Sequence, residues 1–166
     1  MADRNLTERR RAAAWHGMVT LGGLSSADRV LILDAGRAES GAVSAVARHH
    51  GAEVISHFRR EDERAAAADQ NGFVAGAEEL RDALFAATDD QPVTMVVDGT
   101  GGELVRPALR CLKWLGTYVS LAGEDASVPA NYPLIKGLTV IGVDEDAMFT
   151  APSADEEASI RAAAVI

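Results

Sequence analysis

Fully apolar runs alternate along this chain with segments whose apolar residues return at helical spacing. Val30-Leu31-Ile32-Leu33 is continuous and bounded by polar residues, the pattern of a strand buried on both faces. Asp34 to Ser40 is a tight turn of small residues. Gly41 to His50 reads as a helix whose Ala42, Ala45 and Ala47 allow close packing on a sheet. Gly51 ends that helix, and Ala52 to His57 supplies the next strand. Strand, turn, helix and strand within about 30 residues form a right-handed parallel βαβ unit. The turn of such a unit faces ligands at the helix N-terminus, where free backbone N–H groups and the helix dipole favour phosphate.

The same alternation continues on either side. Met1 to Arg11 is a polar extension, basic at its end and expected to fray or to be helical only in part. Ala12 to Gly22 reads as a short helix. Its Trp15 and His16 invite a functional reading, and a packed Trp15 with a surface His16 is the plainer one. After the second strand, a helix runs from Arg59 through Ala68, followed by a turn from Asp69 to Gly72 and a short strand from Phe73 to Ala75. Glu78 to Ala87 is amphipathic, with Leu80, Ala83, Leu84 and Ala87 on one stripe. Val93 to Val97 is another apolar strand, and Asp98 to Gly102 a glycine-rich loop. A helix over Glu103 to Leu115 carries Leu109, Leu112 and Trp114, with Pro107 in its early part. Thr117 to Ala122 and Leu138 to Val143 are further strands, and Asp155 to Ala164 is a last helix.

This order predicts an α/β fold, a doubly wound parallel six-stranded sheet, in a single domain. The expected divisions are the extension at 1–11, the dinucleotide-binding domain at 12–150 and a C-terminal helix at 151–166, open to truncation. Ligands are expected on the turns after Leu33, His57, Val97 and Ala122, at the C-terminal ends of the strands.

Composition narrows the function. The chain of 166 residues has a formal net charge of -9, which argues against nucleic acid and anionic membranes as general partners. Cys111 is the single cysteine, so neither a disulfide framework nor a cysteine-rich zinc site exists within the chain, and it reads as an inert core residue. His16, His49, His50 and His57 show no metal-ligand spacing, and His49 and His50 suit a helix C-terminus. No apolar run approaches the roughly 20 residues of a membrane span, and no signal-peptide core is present, so a cytoplasmic protein is expected.

Separated segments then add up. Ala14-Trp15-His16-Gly17, Asp28-Arg29-Val30-Leu31, Ala47-Arg48 and Gly51-Ala52-Glu53-Val54-Ile55 are followed by Val97-Asp98, Gly101-Gly102-Glu103, Gly116-Thr117-Tyr118-Val119 and the run Lys136 to Val143. In this order they resemble the cofactor domain of the medium-chain dehydrogenases/reductases, and within it the zinc-independent quinone oxidoreductase and enoyl reductase branch. The resemblance covers Ala12 to Val143 and implies a Rossmann fold that binds NAD(P). It also implies two departures. The family's GroES-like catalytic domain is missing, so the chain has half of a reactive cleft and is not expected to be catalytically complete alone. The glycine-rich turn is eroded as well. Ala35, Arg37 and Ser40 stand at the positions of the family's G/A-x-G-x-x-G pattern, with Gly36 and Gly41 displaced. Glycine there lets the backbone approach the pyrophosphate. Arg37 and Ser40 put side chains into that space, unless Arg37 contacts the phosphates directly, and Asp34 and Glu39 add negative charge.

The coenzyme leans to NADPH. His57-Phe58-Arg59-Arg60 offers no acid for the ribose hydroxyls of NAD, and guanidinium groups suit a 2′-phosphate. Pairing of Arg59 and Arg60 with Glu61 to Glu63 is the alternative. By resemblance, Asp98, Gly99 and Gly123 flank the nicotinamide ribose, and as turn residues they need no ligand. A cofactor-free interaction or regulatory module is the competing function. A third is a fold of the S-adenosylmethionine-dependent methyltransferase type, for which Asp34-Ala35-Gly36 is the signal. Two partners are expected: a second copy, through the uncharged strand 138–143, and a separately encoded GroES-like domain.

Overall fold

The computed structural model describes residues 2–67, 71–123 and 126–166, with side chains from residue 6 onward in the first helix. Ala68, Asp69 and Gln70, expected at a helix end and a turn, lie outside the described residues. The strands are β1 (Arg29–Ile32), β2 (Glu53–Phe58), β3 (Gly72–Val74), β4 (Val93–Asp98), β5 (Leu112–Ser120) and β6 (Thr139–Gly142). The helices are α1 (Ala2–Trp15), α2 (Ser40–His49), α3 (Glu61–Ala66), α4 (Leu80–Ala87), α5 (Val105–Cys111), α6 (Asn131–Lys136), α7 (Glu145–Thr150) and α8 (Ala154–Ala163).

All six strands pair in parallel in the order β3-β2-β1-β4-β5-β6, so the doubly wound sheet is as the alternation predicts. The order reverses between β1 and β4, and a crevice opens there at the C-terminal ends of the strands. One apolar layer joins Met18, Val46, Val97 and Met148 on the side of α1, α2 and α8. The other joins Leu80, Leu84, Leu109 and Tyr118 on the side of α4 and α5. Strands clothed on both faces explain the apolar runs Val30 to Leu33 and Met95 to Val97.

Four local departures matter. The basic extension does not fray: Ala2–Trp15 is one helix, and Ala12, Ala13 and Ala14 are buried in the first layer. It then widens into a π-helical segment, His16–Leu21, where Gly17 lets the backbone lie against β5 and its neighbour. A Cβ on Gly17 would stand 2.7 Å from Val119 Cγ1 and 3.0 Å from Val143 Cγ2. His16 is buried rather than on the surface, with Nδ1 3.1 Å from Ser159 Oγ. Finally, the helix expected to reach Leu115 stops at Cys111. The amine of Lys136 donates to the carbonyls of Leu109 (3.2 Å), Arg110 (3.2 Å) and Leu112 (2.7 Å) and closes that helix end. The ladder between β4 and β5 slips between Val93 and Met95, so residues 113–116 bulge outward. Trp114 (67% exposed) and Leu115 (76% exposed) therefore face solvent instead of the core, and Leu115 takes a φ of +60°. Cys111 is buried as expected, and burial pushes its thiol pKa up to about 12.

Candidate functional site

The turn between β1 and α2 gathers Ala35, Gly36, Arg37, Ser40 and Gly41 at the reversal of strand order. Its backbone is largely spent inside the protein. Asp34 N–H donates to His57 Nδ1 (3.1 Å), Ala35 N–H to His57 O (2.7 Å), Arg37 N–H to Asp34 O (3.2 Å) and Ser40 N–H to Arg37 O (3.1 Å). The Ser40 hydroxyl lies 2.6 Å from the carbonyls of both Ala35 and Arg37, folding back on its own turn. Asp34 sits at φ +52°, a left-handed conformation that suits glycine far better. Gly36 is overlaid by a carboxylate side chain from α3: an added Cβ would meet Glu63 Cδ at 2.9 Å. The Arg37 side chain is exposed, and its guanidinium has no ion-pair or hydrogen-bond partner among the described residues.

At the end of β2 the sequence expectations divide. His57 is fully buried. Its Nδ1 accepts from Asp34, so Nε2 carries the ring proton and donates to Ala75 O at 2.9 Å. Burial pushes its pKa below the usual imidazole range. With both nitrogens occupied, His57 ties β1 to the end of β3 and is not presented to a ligand, which corrects its expected place in a cofactor site. Arg59 reaches Asp34 (Nε to Oδ2, 3.2 Å) and Glu103 (Nη1 to Oε1, 2.8 Å). Arg60 pairs with Asp62 and lies 3.8 Å from Glu63, whose side chain also caps the start of α3. The acids that hold these cations thus include Asp34 and Glu103 from other elements, beyond the Glu61 to Glu63 run.

The loop after β4 serves the scaffold. Asp98 is fully buried, and its Oδ1 accepts from Thr100 N–H (2.8 Å), Thr100 Oγ1 (2.9 Å) and Gly101 N–H (2.9 Å). Its Oδ2 accepts from the Tyr118 hydroxyl at 2.5 Å, and burial raises the phenol pKa. The Asp98 carboxylate, expected to face the ribose, points into the fold. Gly99 does face the crevice. Gly123, at φ +59°, lines a separate open hollow of about 500 Å³ beside Ser120 and Gly142, at the ends of β5 and β6.

What fills the crevice is a side chain that no motif announced. Arg10 of α1 enters it, donating from Nη1 to Leu121 O (3.0 Å) and standing 3.4 Å from where a Cβ on Gly99 would lie. Its Nε is 2.8 Å from Glu145 Oε1 of α7, in a contact four-fifths buried on both sides. Burial raises the Glu145 pKa, and Arg10 beside it opposes that rise. The remaining crevice, between Arg10, Asp34, Arg37, Glu39, Ser40 and Gly99, measures about 30 Å³. This space takes a water or two, and a more open hollow of about 320 Å³ adjoins it at Arg37 and Ser40, lined also by Gly41, Ser56 and Phe58. Among the described residues no group of His, Cys, Asp and Glu is arranged to hold a metal ion, and no helix is long and apolar enough to cross a membrane.

Comparison with known proteins agrees with this architecture. The sequence profile of a family described as zinc-binding dehydrogenase matches residues 41–159 and so begins directly after the altered turn. Highly reducing polyketide synthase 40 of Fusarium pseudograminearum is 26% identical over 142 residues, 80% of this chain and 6% of that protein. Quinone oxidoreductase-like protein 2 of Rattus norvegicus is 33% identical over 89 residues, 49% of this chain and 25% of that protein. The chain thus spans a quarter or less of these relatives. Among solved structures, a putative enoyl reductase domain of polyketide synthase superposes with a TM-score of 0.77 at 22% identity, covering 93% of this chain and 89% of that one. The nucleotide-binding subdomain of the enoylreductase domain of PpsC from Mycobacterium tuberculosis gives 0.74 at 21% identity, covering 94% and 90%.

Proposed function

The chain belongs to the zinc-binding dehydrogenase family, as a nucleotide-binding domain like those of the enoyl reductases and quinone oxidoreductases, and we propose that its coenzyme is NADPH. The single observation that carries this choice is the end of β2. The strand itself ends on Phe58 without an acid, and Arg59 and Arg60 follow immediately, each paired with carboxylates from neighbouring segments. Arg60 and Asp62 are both largely exposed, and exposed pairs contribute little to stability, so a 2′-phosphate can take over this arginine at small cost. The seat for the rest of the coenzyme is the crevice over β1 and β4, which has to open to receive it.

A thermal-shift titration tests this. A ligand at 100 times its Kd stabilises the fold by about 2.7 kcal/mol. NADPH is expected to raise the melting temperature more than NADH, and Arg60→Ala to remove the difference. No shift with either nucleotide at millimolar concentration overturns the reading and leaves the second one, a cofactor-free interaction module. The small volume of the crevice is the observation that favours that alternative. The methyltransferase reading falls, because the sheet is parallel throughout and family membership lies elsewhere.

Activity in this reading needs a second domain to complete the cleft, and a GroES-like domain is the partner that would supply it. Co-purification from the source cells tests that pairing. The second partner is another copy of the chain. β6 is an edge strand without charge or proline, and Val140 on it is 41% exposed. Pairing of two such edges about a two-fold axis would satisfy their free backbone groups. Light scattering should give a dimer; a monomer at high concentration overturns it. A cytoplasmic location accords with this reading.

A further inference from the structure

We infer that the open hollow between α2 and the end of β2 is a phosphate-ester site, with Arg37 as its cation and the Ser44 and Ser56 hydroxyls as its neutral donors. This site stands apart from the coenzyme reading, which places the seat over β1 and β4 and gives the 2′-phosphate to Arg60.

The sequence of α2 divides into two faces. Ala42, Val43, Val46 and Ala47 are buried toward the sheet. Ser40, Gly41, Ser44, Ala45 and Arg48 share the other face and border the hollow, which measures about 320 Å³. That face carries only small side chains before Arg48, and a Cβ added to Gly41 would meet nothing within 4 Å, so the space between helix and strand stays open. Across it, β2 alternates. Val54 belongs to the apolar layer beneath α2 and Ile55 to the opposite layer, so Ser56 returns to the α2 side and lines the hollow.

Donors are what this hollow offers. Ser56 is only 3% exposed, yet its hydroxyl has no hydrogen-bond partner among the described residues. Buried hydroxyls are as a rule partnered, so one left facing a hollow marks a place suited to a polar guest. The partly buried Ser44 hydroxyl likewise has no partner among the described residues. Arg37 lines the same hollow, and its side chain supplies what the turn's backbone, spent on internal hydrogen bonds, does not offer. Among the described residues no carboxylate lines this space, although the chain as a whole carries a net charge of -9. A guanidinium with hydroxyls and no facing acid selects an oxyanion, and its planar fork matches phosphate with two parallel N–H···O bonds. Phe58 and Ala67 add apolar wall, which suits the organic part of an ester better than a bare ion. The ligand class is therefore a phosphate monoester, either free or as the 2′-phosphate of a nucleotide.

Calorimetric titration of the full chain with adenosine 2′-phosphate, methyl phosphate and adenosine tests the site. The esters are expected to bind and adenosine is not. Arg37→Ala, at an exposed side chain, should weaken the esters at least about tenfold. Ser56→Ala should weaken them at least about threefold, and Ser44→Ala repeats that measurement if Ser56→Ala folds poorly. A preference of about tenfold or more for the nucleotide assigns the coenzyme's 2′-phosphate as the source, and a smaller one a free ester. Because Arg37 also lines the crevice, an Arg37 effect without a serine effect overturns the hollow as the site. Absence of ester binding, or adenosine binding as tightly as its 2′-phosphate, overturns it too. Loss of binding in Arg60→Ala but not in Arg37→Ala overturns the hollow while the coenzyme reading stands.

Discussion

Asp34 and Asp98 stand just beyond or at the ends of neighbouring parallel strands, β1 and β4, and their carboxylates meet opposite fates. Asp98 turns inward and takes four donors from its own loop and from Tyr118. Asp34 is driven into a left-handed conformation, and its carboxylate reaches outward to Arg59, 39% exposed. The first aspartate shapes a loop. The second places negative charge at the mouth of the crevice. Ile32 stands opposite Val97, so Asp34 lies one position beyond the level of Asp98, and the donors within reach differ accordingly: a hydroxyl from β5 for Asp98, a guanidinium from beyond β2 for Asp34.

The contrast breaks most visibly at Asp98. Asp98→Ala strands the Tyr118 hydroxyl and two backbone N–H groups in the interior, and should cost about 3 kcal/mol in urea unfolding. His57, the strut behind Asp34, comes next. His57→Phe leaves the Asp34 N–H and Ala75 carbonyl without partners and should cost about 2 kcal/mol. The same strut gives a pH signature. Burial holds its folded pKa below the ordinary imidazole value of 6.5, so its contribution is whole above that value and is lost as pH falls through the lower folded pKa. A stability profile between pH 7 and 5 should slope downward toward acid in wild type and flatten in His57→Phe.

Asp34→Gly sharpens the comparison from the other side. Release from the left-handed conformation returns about 1 kcal/mol, and loss of the partly exposed Arg59 pair offsets some of it. The net change should stay within about 1 kcal/mol, whereas the equivalent change at Asp98 should not. The smallest effect is expected at Gly36→Ala. The atoms it meets are the flexible end and stem of Glu63, so the fold should shift by no more than about 0.5 kcal/mol.

The sheet was readable because its signals are local. Val30 to Leu33 and Met95 to Val97 are buried on both faces, and continuous apolar runs report that directly. The altered turn was readable for the same reason, since Arg37 and Ser40 stand where a family pattern has glycine. The occupant of the crevice was not. Arg9-Arg10-Arg11 looks like a solvated basic run, and no periodicity says that its middle member meets Glu145, far along the chain. Helices α6 and α7 were missed because, at six residues each, they hold too few turns to show a stripe. Trp114 was assigned to a helical core on its spacing, but the slip in the β4–β5 ladder, a long-range event, puts it outside.

The amine of Lys136 has a wider consequence. One nitrogen collects three carbonyls at the place where α5 gives way to β5, and it arrives from the far side of a long connection. Acetylation of that nitrogen would abolish its charge and two of its protons at once, and the carbonyls it gathers would have to seek water. A single acyl group on this lysine would loosen the joint that lets β5 begin where it does, and with it the seating of the edge strand alongside.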